Sequence, residues 1–322
     1  MLSVNDYNEK MVVFVFSKDG EKMSFSNDNL VVKDAMGGVR VQCTCYRIFS
    51  LFIVGDASIT TGLIKKAQKF GFSIVLMTPS LKAYEIMGYR ADGNYLLRRK
   101  QYLYSDIEIA KHIVWNKIQC QKEVLDLQRG KDKRLRDGMS LLSEMADSVS
   151  KYEGDFRGIM GIEGNAAKVF FRNNYNMVDS FRRVPRIKAD FINSTLDIGY
   201  TILFNLVDSL LNIYGFDTYQ GVYHREFYMR KSLTCDLMEP FRPLIDWQVR
   251  KGINLGQCKE EHFNNVNGRY LLDITKNKDY VIFLMKPLIQ NKESIFRYFQ
   301  SYYRAFMKGK GIGDYPVFMV VE

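Results

Sequence analysis

The residues best suited to chemistry cluster in the second half of the chain. It has three histidines. His112 sits between Lys111 and Ile113 within a helical repeat, where packing or surface exposure is the simple reading. His262 follows Lys259-Glu260-Glu261, a charged run that reads as a solvated face. His224 differs. It ends a glycine turn, Gly221-Val222-Tyr223-His224, and Cys235-Asp236-Leu237-Met238-Glu239-Pro240 follows it closely. Asp236 and Glu239 are three apart, a spacing that puts both carboxylates on one helix face. Pro240 and Pro243 suit a helix that is only starting, and carboxylates in a first turn gain from the helix dipole. With a histidine arriving from the preceding turn, the donors are mixed nitrogen and oxygen, a set suited to Mg2+ or Mn2+. The competing reading is a charge pair at a helix N-terminus.

A second candidate is Glu163, within Gly158-Ile159-Met160-Gly161-Ile162-Glu163-Gly164-Asn165-Ala166-Ala167-Lys168. Small residues on both sides of one glutamate predict close helix packing around a carboxylate. The stretch lacks the spacing and the Lys-Ser/Thr ending of a phosphate-binding loop. Basic residues follow: Lys168, Arg172, Arg182, Arg183, Arg186 and Lys188, opposed between 165 and 190 only by Asp179 and Asp190. Arg225 and Arg242 flank the His224 and Glu239 motifs. Such runs are usually solvated faces. Beside a metal cluster they also match what phosphodiester chemistry needs, cations for the backbone and metal for the oxygens.

The elements that must hold these residues divide the chain in two. Met11–Ser17, Lys22–Ser26, Leu30–Lys33, Val39–Tyr46 and Arg47–Val54 read as short strands, separated by Lys18-Asp19-Gly20, Asn27-Asp28-Asn29 and Gly37-Gly38. A helix capped by Ser58 or Thr60 runs to about Phe70 and stops at Gly71. Ser73–Met77 returns as a strand. No proline occurs between Pro79 and Pro185, which suits long helices. Ile107, Ala110, Ile113, Val114, Ile118 and Gln121 recur at helical spacing. Gly88–Asn94 reads as a linker, so the expected fold is α+β: a small β-rich domain over 1–90, then an all-α catalytic domain over 91–322.

Composition narrows the partners. At 322 residues and 47% apolar content the chain can bury a large core. Its net charge of +10 favours polyanions. Uninterrupted apolar stretches such as Met11–Phe16 and Tyr280–Met285 are too short to cross a bilayer, and Met1–Lys10 is no signal peptide. The expectation is a cytoplasmic protein with no membrane partner. Cys43, Cys45, Cys120, Cys235 and Cys258 fit no zinc template and read as reduced, buried thiols.

The motifs together resemble the CRISPR-associated integrase family, the universal subunit of the spacer-acquisition complex. Gly161-Ile162-Glu163-Gly164, Gly215-Phe216-Asp217 through His224, and Asp236-Leu237-Met238-Glu239-Pro240-Phe241-Arg242-Pro243 are similar to its three metal motifs, in order. Asn94–Tyr102 resembles the start of its helical domain, and Asn193 with Gly199-Tyr200 its central helix. The resemblance implies that Glu163, His224 and Glu239 coordinate one Mg2+ or Mn2+, with Asp236 an accessory ligand or water-orienting group. The aromatic after the first motif, commonly Tyr, is Phe170 here.

The resemblance also implies the reaction, insertion of short duplex DNA into the CRISPR array by 3′-hydroxyl attack at repeat ends. It implies a homodimer joined through the β domain, a hetero-hexamer with a small partner subunit, and an end-trimming nuclease as a further partner. Lys168, Arg172, Arg182, Arg183, Arg186, Arg225 and Arg242 are the expected DNA contacts. Activity should fall at acidic pH, because ligation needs a neutral His224. The alternatives are a structure-selective nuclease on branched DNA and a non-catalytic DNA-binding subunit. Asn291–Lys308, alternating aromatic and basic residues, reads as a packed amphipathic helix or as a DNA or partner contact.

Overall fold

The computed structural model describes residues 2–179, 181–224 and 228–320. A short helix, α1 (Val4–Glu9), precedes strands β1 (Met11–Phe16), β2 (Lys22–Ser26), β3 (Asn29–Lys33), β4 (Val39–Thr44) and β5 (Ile48–Val54). Helix α2 (Thr61–Phe70) and strands β6 (Ser73–Met77) and β7 (Ala83–Gly88) complete the β-rich part. One sheet has the order β1-β5-β6-β7, the other β2-β3-β4. Strand β5 pairs in parallel with β1 and β6 and is buried at every position. This is why Ile-Phe-Ser-Leu-Phe-Ile-Val shows no polar alternation. Asn27 and Asp28 both adopt the left-handed region and turn the β2–β3 hairpin.

Strand β7 was not expected. It lies antiparallel at the edge of the first sheet, beside β6, with Tyr84 and Glu85 exposed, and so lacks the alternation that marks a strand.

The helical part comprises α3 (Tyr95–Leu103), α4 (Glu108–Asp126), α5 (Lys133–Ser150), α6 (Phe156–Asn174), α7 (Phe191–Tyr214), α8 (Ser232–Met238) and α9 (Arg242–Asn254). After a hairpin of β8 (Phe263–Val266) and β9 (Arg269–Leu272) come α10 (Asn277–Gln290) and α11 (Lys292–Lys308). The hairpin is an addition to the expected all-α domain. Its Asn267-Gly268 turn, both residues left-handed, was a legible hairpin signal.

Helix α7 is the central post. It is long and apolar enough to cross a membrane, a feature that uninterrupted runs understated, yet 72% of its most apolar window is buried inside the protein. Asp208 within it accepts from Lys231 Nζ at 3.0 Å and Thr234 Oγ1 at 3.1 Å, which pins α8 onto α7. Gly199 allows α7 to approach α9 closely: a Cβ there would meet Ile245 Cγ2 at 2.5 Å.

Sheet gives way to helix between Gly88 and Tyr95, but the core is continuous. One cluster joins Phe52, Val75 and Met77 to Leu203, Leu210 and Phe296. Tyr7 of α1 stacks on Phe296 of α11 at 4.3 Å. Helix α11 turns Phe296, Phe299, Tyr302 and Phe306 inward, which favours the packed-helix reading of 291–308. The C-terminal segment straps α4. Asn116 exchanges hydrogen bonds with the backbone of Phe318 at 2.7 and 2.9 Å, and the Phe318 ring meets Phe241 at 4.7 Å.

Candidate metal and nucleic-acid site

Four elements and one loop converge on a buried cluster of charge. Helix α6 begins at Asp155, whose side chain caps Gly158 N at 3.1 Å, and carries Glu163 in mid-helix. Helix α4 brings Lys117. The loop after α7 brings Tyr223 and His224, held from α3 by Gln101, which bonds Asp217 N at 2.9 Å and Asp217 O at 3.0 Å. Asp236 lies in the last turn of α8. Glu239 opens a 3-10 turn, Glu239–Phe241, that leads into α9 at Arg242. The sequence reading put Asp236 in the first turn of a starting helix. The structure corrects this: the proline-bearing helix starts after Glu239, so its dipole does not stabilise Asp236.

Asp236 is fully buried and organises the His224 loop. Its Oδ2 accepts from Val222 N at 2.8 Å and Tyr223 N at 2.9 Å, and its Oδ1 from His224 N at 3.1 Å. His224 Nδ1 lies 2.7 Å from the same Oδ1. An ionised carboxylate only accepts, so Nδ1 carries a proton, and in the neutral ring Nε2 then keeps its lone pair. Gly221 makes this approach feasible, because a Cβ there would stand 2.8 Å from Asp236 Oδ2.

Glu163 and Glu239 face one ammonium. Lys117 pairs with Glu163 and, at 2.6 Å, with Glu239 Oε2. Glu239 Oε1 lies 3.0 Å from Arg242 Nε, and Tyr223 donates its hydroxyl to Glu163 Oε2 at 2.7 Å. Burial pushes the Glu239 carboxyl up, but Arg242 and Lys117 outweigh it and hold the group below the ordinary range. Burial likewise opposes the Lys117 charge, and the two glutamates restore it, leaving the ammonium more basic than usual.

Behind this cluster the Arg242 guanidinium lies 4.6 Å from the Tyr200 ring centre and that of Arg183 5.4 Å from it. Tyr200 donates to Asp246 at 2.5 Å. Burial lifts Asp246 to about 7.

The residue types fit a hard divalent ion: two carboxylates, of which Glu239 is almost wholly buried, and an imidazole nitrogen. Among the described residues, no three His, Cys, Asp or Glu side chains stand gathered as a ready cage. The ammonium of Lys117 lies between the two glutamates instead.

Of the expected DNA contacts, Lys168, Arg172, Arg182 and Arg186 are exposed. Arg183 is committed to Asp197 at 2.5 Å and Asn193 at 2.8 Å, and Arg242 to Glu239. Arg225 lies outside the described residues. Sequence reasoning missed Lys117, Tyr223, Tyr200 and Asp246. Lys117 had a signal, a lysine inside the apolar stripe between Val114 and Ile118. Tyr223 supplies a hydroxyl to Glu163, whereas Phe170 is simply buried.

The comparisons agree with this architecture. The family model for CRISPR associated protein Cas1 matches residues 14–284. The chain is 26% identical over 276 residues to the "CRISPR-associated endonuclease Cas1 1" of Thermodesulfovibrio yellowstonii, spanning 81% of this chain and 86% of that one. It is 27% identical over 274 residues to a CRISPR-associated endonuclease Cas1 of Rhodospirillum rubrum, spanning 79% and 77%. Among solved structures, a CAS1 protein from Thermotoga maritima matches with a TM-score of 0.79 at 17% identity, over 93% of this chain and 98% of that one. A casposase bound to integration product matches with a TM-score of 0.76 at 20% identity, over 97% and 95%. With its β-rich part, its central helix and a family match across most of its length, the chain belongs to the CRISPR associated protein Cas1 family.

Proposed function

We propose that this protein is the DNA-joining subunit of CRISPR adaptation. It would insert short duplexes into the array by exchanging one phosphodiester for another. The observation that carries this reading is the meeting of Glu163 and Glu239, from separate elements, at one buried point, beside a His224 whose Nε2 lone pair Asp236 has set free. Glu163, Glu239 and His224 would hold one Mg2+ or Mn2+, which when bound supplies Lewis-acid stabilisation of charge on phosphate oxygens.

The chain's own residues do the rest. Asp236 fixes the imidazole tautomer and the loop that carries it. Arg242 and Tyr223 each hold a carboxylate oxygen in place, which limits rotation of Glu239 and Glu163. Lys168, Arg172, Arg182 and Arg186 neutralise backbone phosphates without reading sequence. The attacking group is the 3′-hydroxyl of the incoming duplex. A bond from its oxygen to the repeat phosphate forms as the bond to the repeat's own 3′-oxygen breaks. The attacking hydroxyl gives up its proton and the leaving oxygen gains one, so no external energy source is needed.

Partners follow from the relatives' descriptions. One solved structure that matches with a TM-score of 0.80 is a Cas6-RT-Cas1–Cas2 complex, where this protein covers 36% of the matched chain. It supports a small partner subunit, with which a homodimer of this chain would assemble on DNA in the cytoplasm. The relatives' name, endonuclease, favours a second reading, hydrolytic cutting of branched DNA. One assay separates the two: protein, Mn2+, a labelled duplex with free 3′-hydroxyls and a repeat-bearing supercoiled plasmid, with Glu163→Ala alongside. Label transferred to plasmid by the wild type alone supports joining. Metal-dependent cutting of branched DNA without transfer leaves the nuclease.

A further inference from the structure

Lys117 has no part in the motifs that mark the metal site, yet it stands at their centre. Its side chain is 10% exposed, and its ammonium pairs with both Glu163 and Glu239. Arg242 takes the remaining Glu239 oxygen. These two carboxylates and two cations therefore cancel, and the buried Asp236 carboxylate beside them adds one negative charge. A divalent ion placed on the same carboxylates, with both cations still in place, would leave positive charge uncompensated where unpaired charge is costly. A phosphate of bound DNA is the anion that arrives at this point. A lysine ammonium is a compact, rotatable donor able to change partners.

We propose that Lys117 is a displaceable counter-ion that couples metal loading to DNA binding: a divalent ion takes the oxygens of Glu163 and Glu239 as the Lys117 ammonium passes to a DNA phosphate. The proposal rests on the metal-dependent reading above. It makes Lys117 a sensor of substrate, so that the metal is held firmly only when DNA is present. It also accounts for the absence of a ready cage among the described residues, because the glutamates are arranged around the ammonium. By linkage, Mn2+ tightens DNA by the same factor as DNA tightens Mn2+.

The test is calorimetric titration of Mn2+ into the full chain, with and without a duplex ending in 3′-dideoxynucleotides, which cannot join. The wild type should bind Mn2+ about tenfold more tightly when the duplex is present. Lys117→Met should bind Mn2+ more tightly than wild type without DNA. Its coupling should shrink to within about twofold. DNA phosphates also ligate metals directly, so the difference between the two proteins carries the result. Unchanged coupling in Lys117→Met, or Mn2+ binding no tighter than wild type, overturns the proposal.

Melting curves give an independent readout. Lys117→Met should melt lower than wild type in chelator, and Mn2+ should raise it by more than it raises wild type. Equal shifts count against the inference. If that variant does not fold, Lys117→Gln replaces it, and a wild-type Mn2+ affinity indifferent to DNA is by itself sufficient to overturn the coupling. Failure of the underlying reading looks different: Glu163→Ala would then bind Mn2+ as wild type does.

Discussion

Replacing Asp236 by asparagine tests the site with almost no change in shape. The native carboxylate has no exposed surface and takes two donors on each oxygen: the Val222 and Tyr223 amides on Oδ2, the His224 amide and ring on Oδ1. An asparagine must turn an NH2 toward one of these pairs. Facing Val222 and Tyr223, it strands two buried backbone amides, at about 1–3 kcal/mol each. Facing His224, it strands one amide, and the imidazole relieves the second clash by moving its proton from Nδ1 to Nε2. The second arrangement is the less costly, so Asp236→Asn should fold with a loss of about 1–3 kcal/mol. It should also carry the wrong tautomer, with Nε2 protonated and unable to ligate. Metal affinity should fall roughly 10–100-fold, the usual effect of losing a group that orients a ligand. Histidine-selective 15N labelling reads the tautomer directly, since the chain holds three histidines, and Mn2+ titration reads the affinity. A variant with wild-type Mn2+ affinity and an unprotonated Nε2 would refute the reasoning.

Further outcomes follow from the same geometry. Burial holds the Asp246 carboxyl up to about 7 against an ordinary 3.8, so between those values the folded chain keeps a proton that the unfolded chain has lost. Stability should therefore decline as pH rises from about 4 to about 7, by on the order of 4 kcal/mol from this group. Asp246→Asn should flatten that slope in melting curves, and parallel slopes for variant and wild type would sink the assignment. Tyr223→Phe removes the 2.7 Å donor from Glu163 Oε2; a loss of about 1.5–3 kcal/mol in Mn2+ affinity or folding is expected, and no change in either contradicts it. Arg183→Ala should cost about 3–5 kcal/mol of stability by leaving Asp197 unpaired in a mostly buried position. Arg182→Ala should leave the melting temperature alone and lower the salt dependence of DNA binding by about one contact. The reverse pattern would exchange their roles.

Much of the organisation is local and can be read along the chain. The unbroken apolar run of β5 announces a strand covered on both faces, Gly71 ends α2 in the left-handed conformation, and the proline-free stretch after Pro79 contains three long helices. Glu163, His224, Asp236 and Glu239 stand out because each sits in a short, distinctive motif. The edge strand β7 escaped, because an edge needs little apolar alternation. The β8–β9 hairpin escaped despite its Asn-Gly turn, because its strands are only 4 residues each.

What only the tertiary structure decides is which charges meet. Lys117 and Glu163 are 46 positions apart, Tyr223 and Glu163 are 60, and Tyr200 and Asp246 are 46. No local pattern records such pairings. A lysine on an apolar helical stripe reads as a defect until the helix opposite supplies a carboxylate. Arg183 and Arg242 read as surface cations until burial commits them to Asp197 and Glu239. Residue type and spacing are properties of the chain. The desolvation that makes an ion pair obligatory, and so turns a charge into part of a site, exists only once the helices have packed around it.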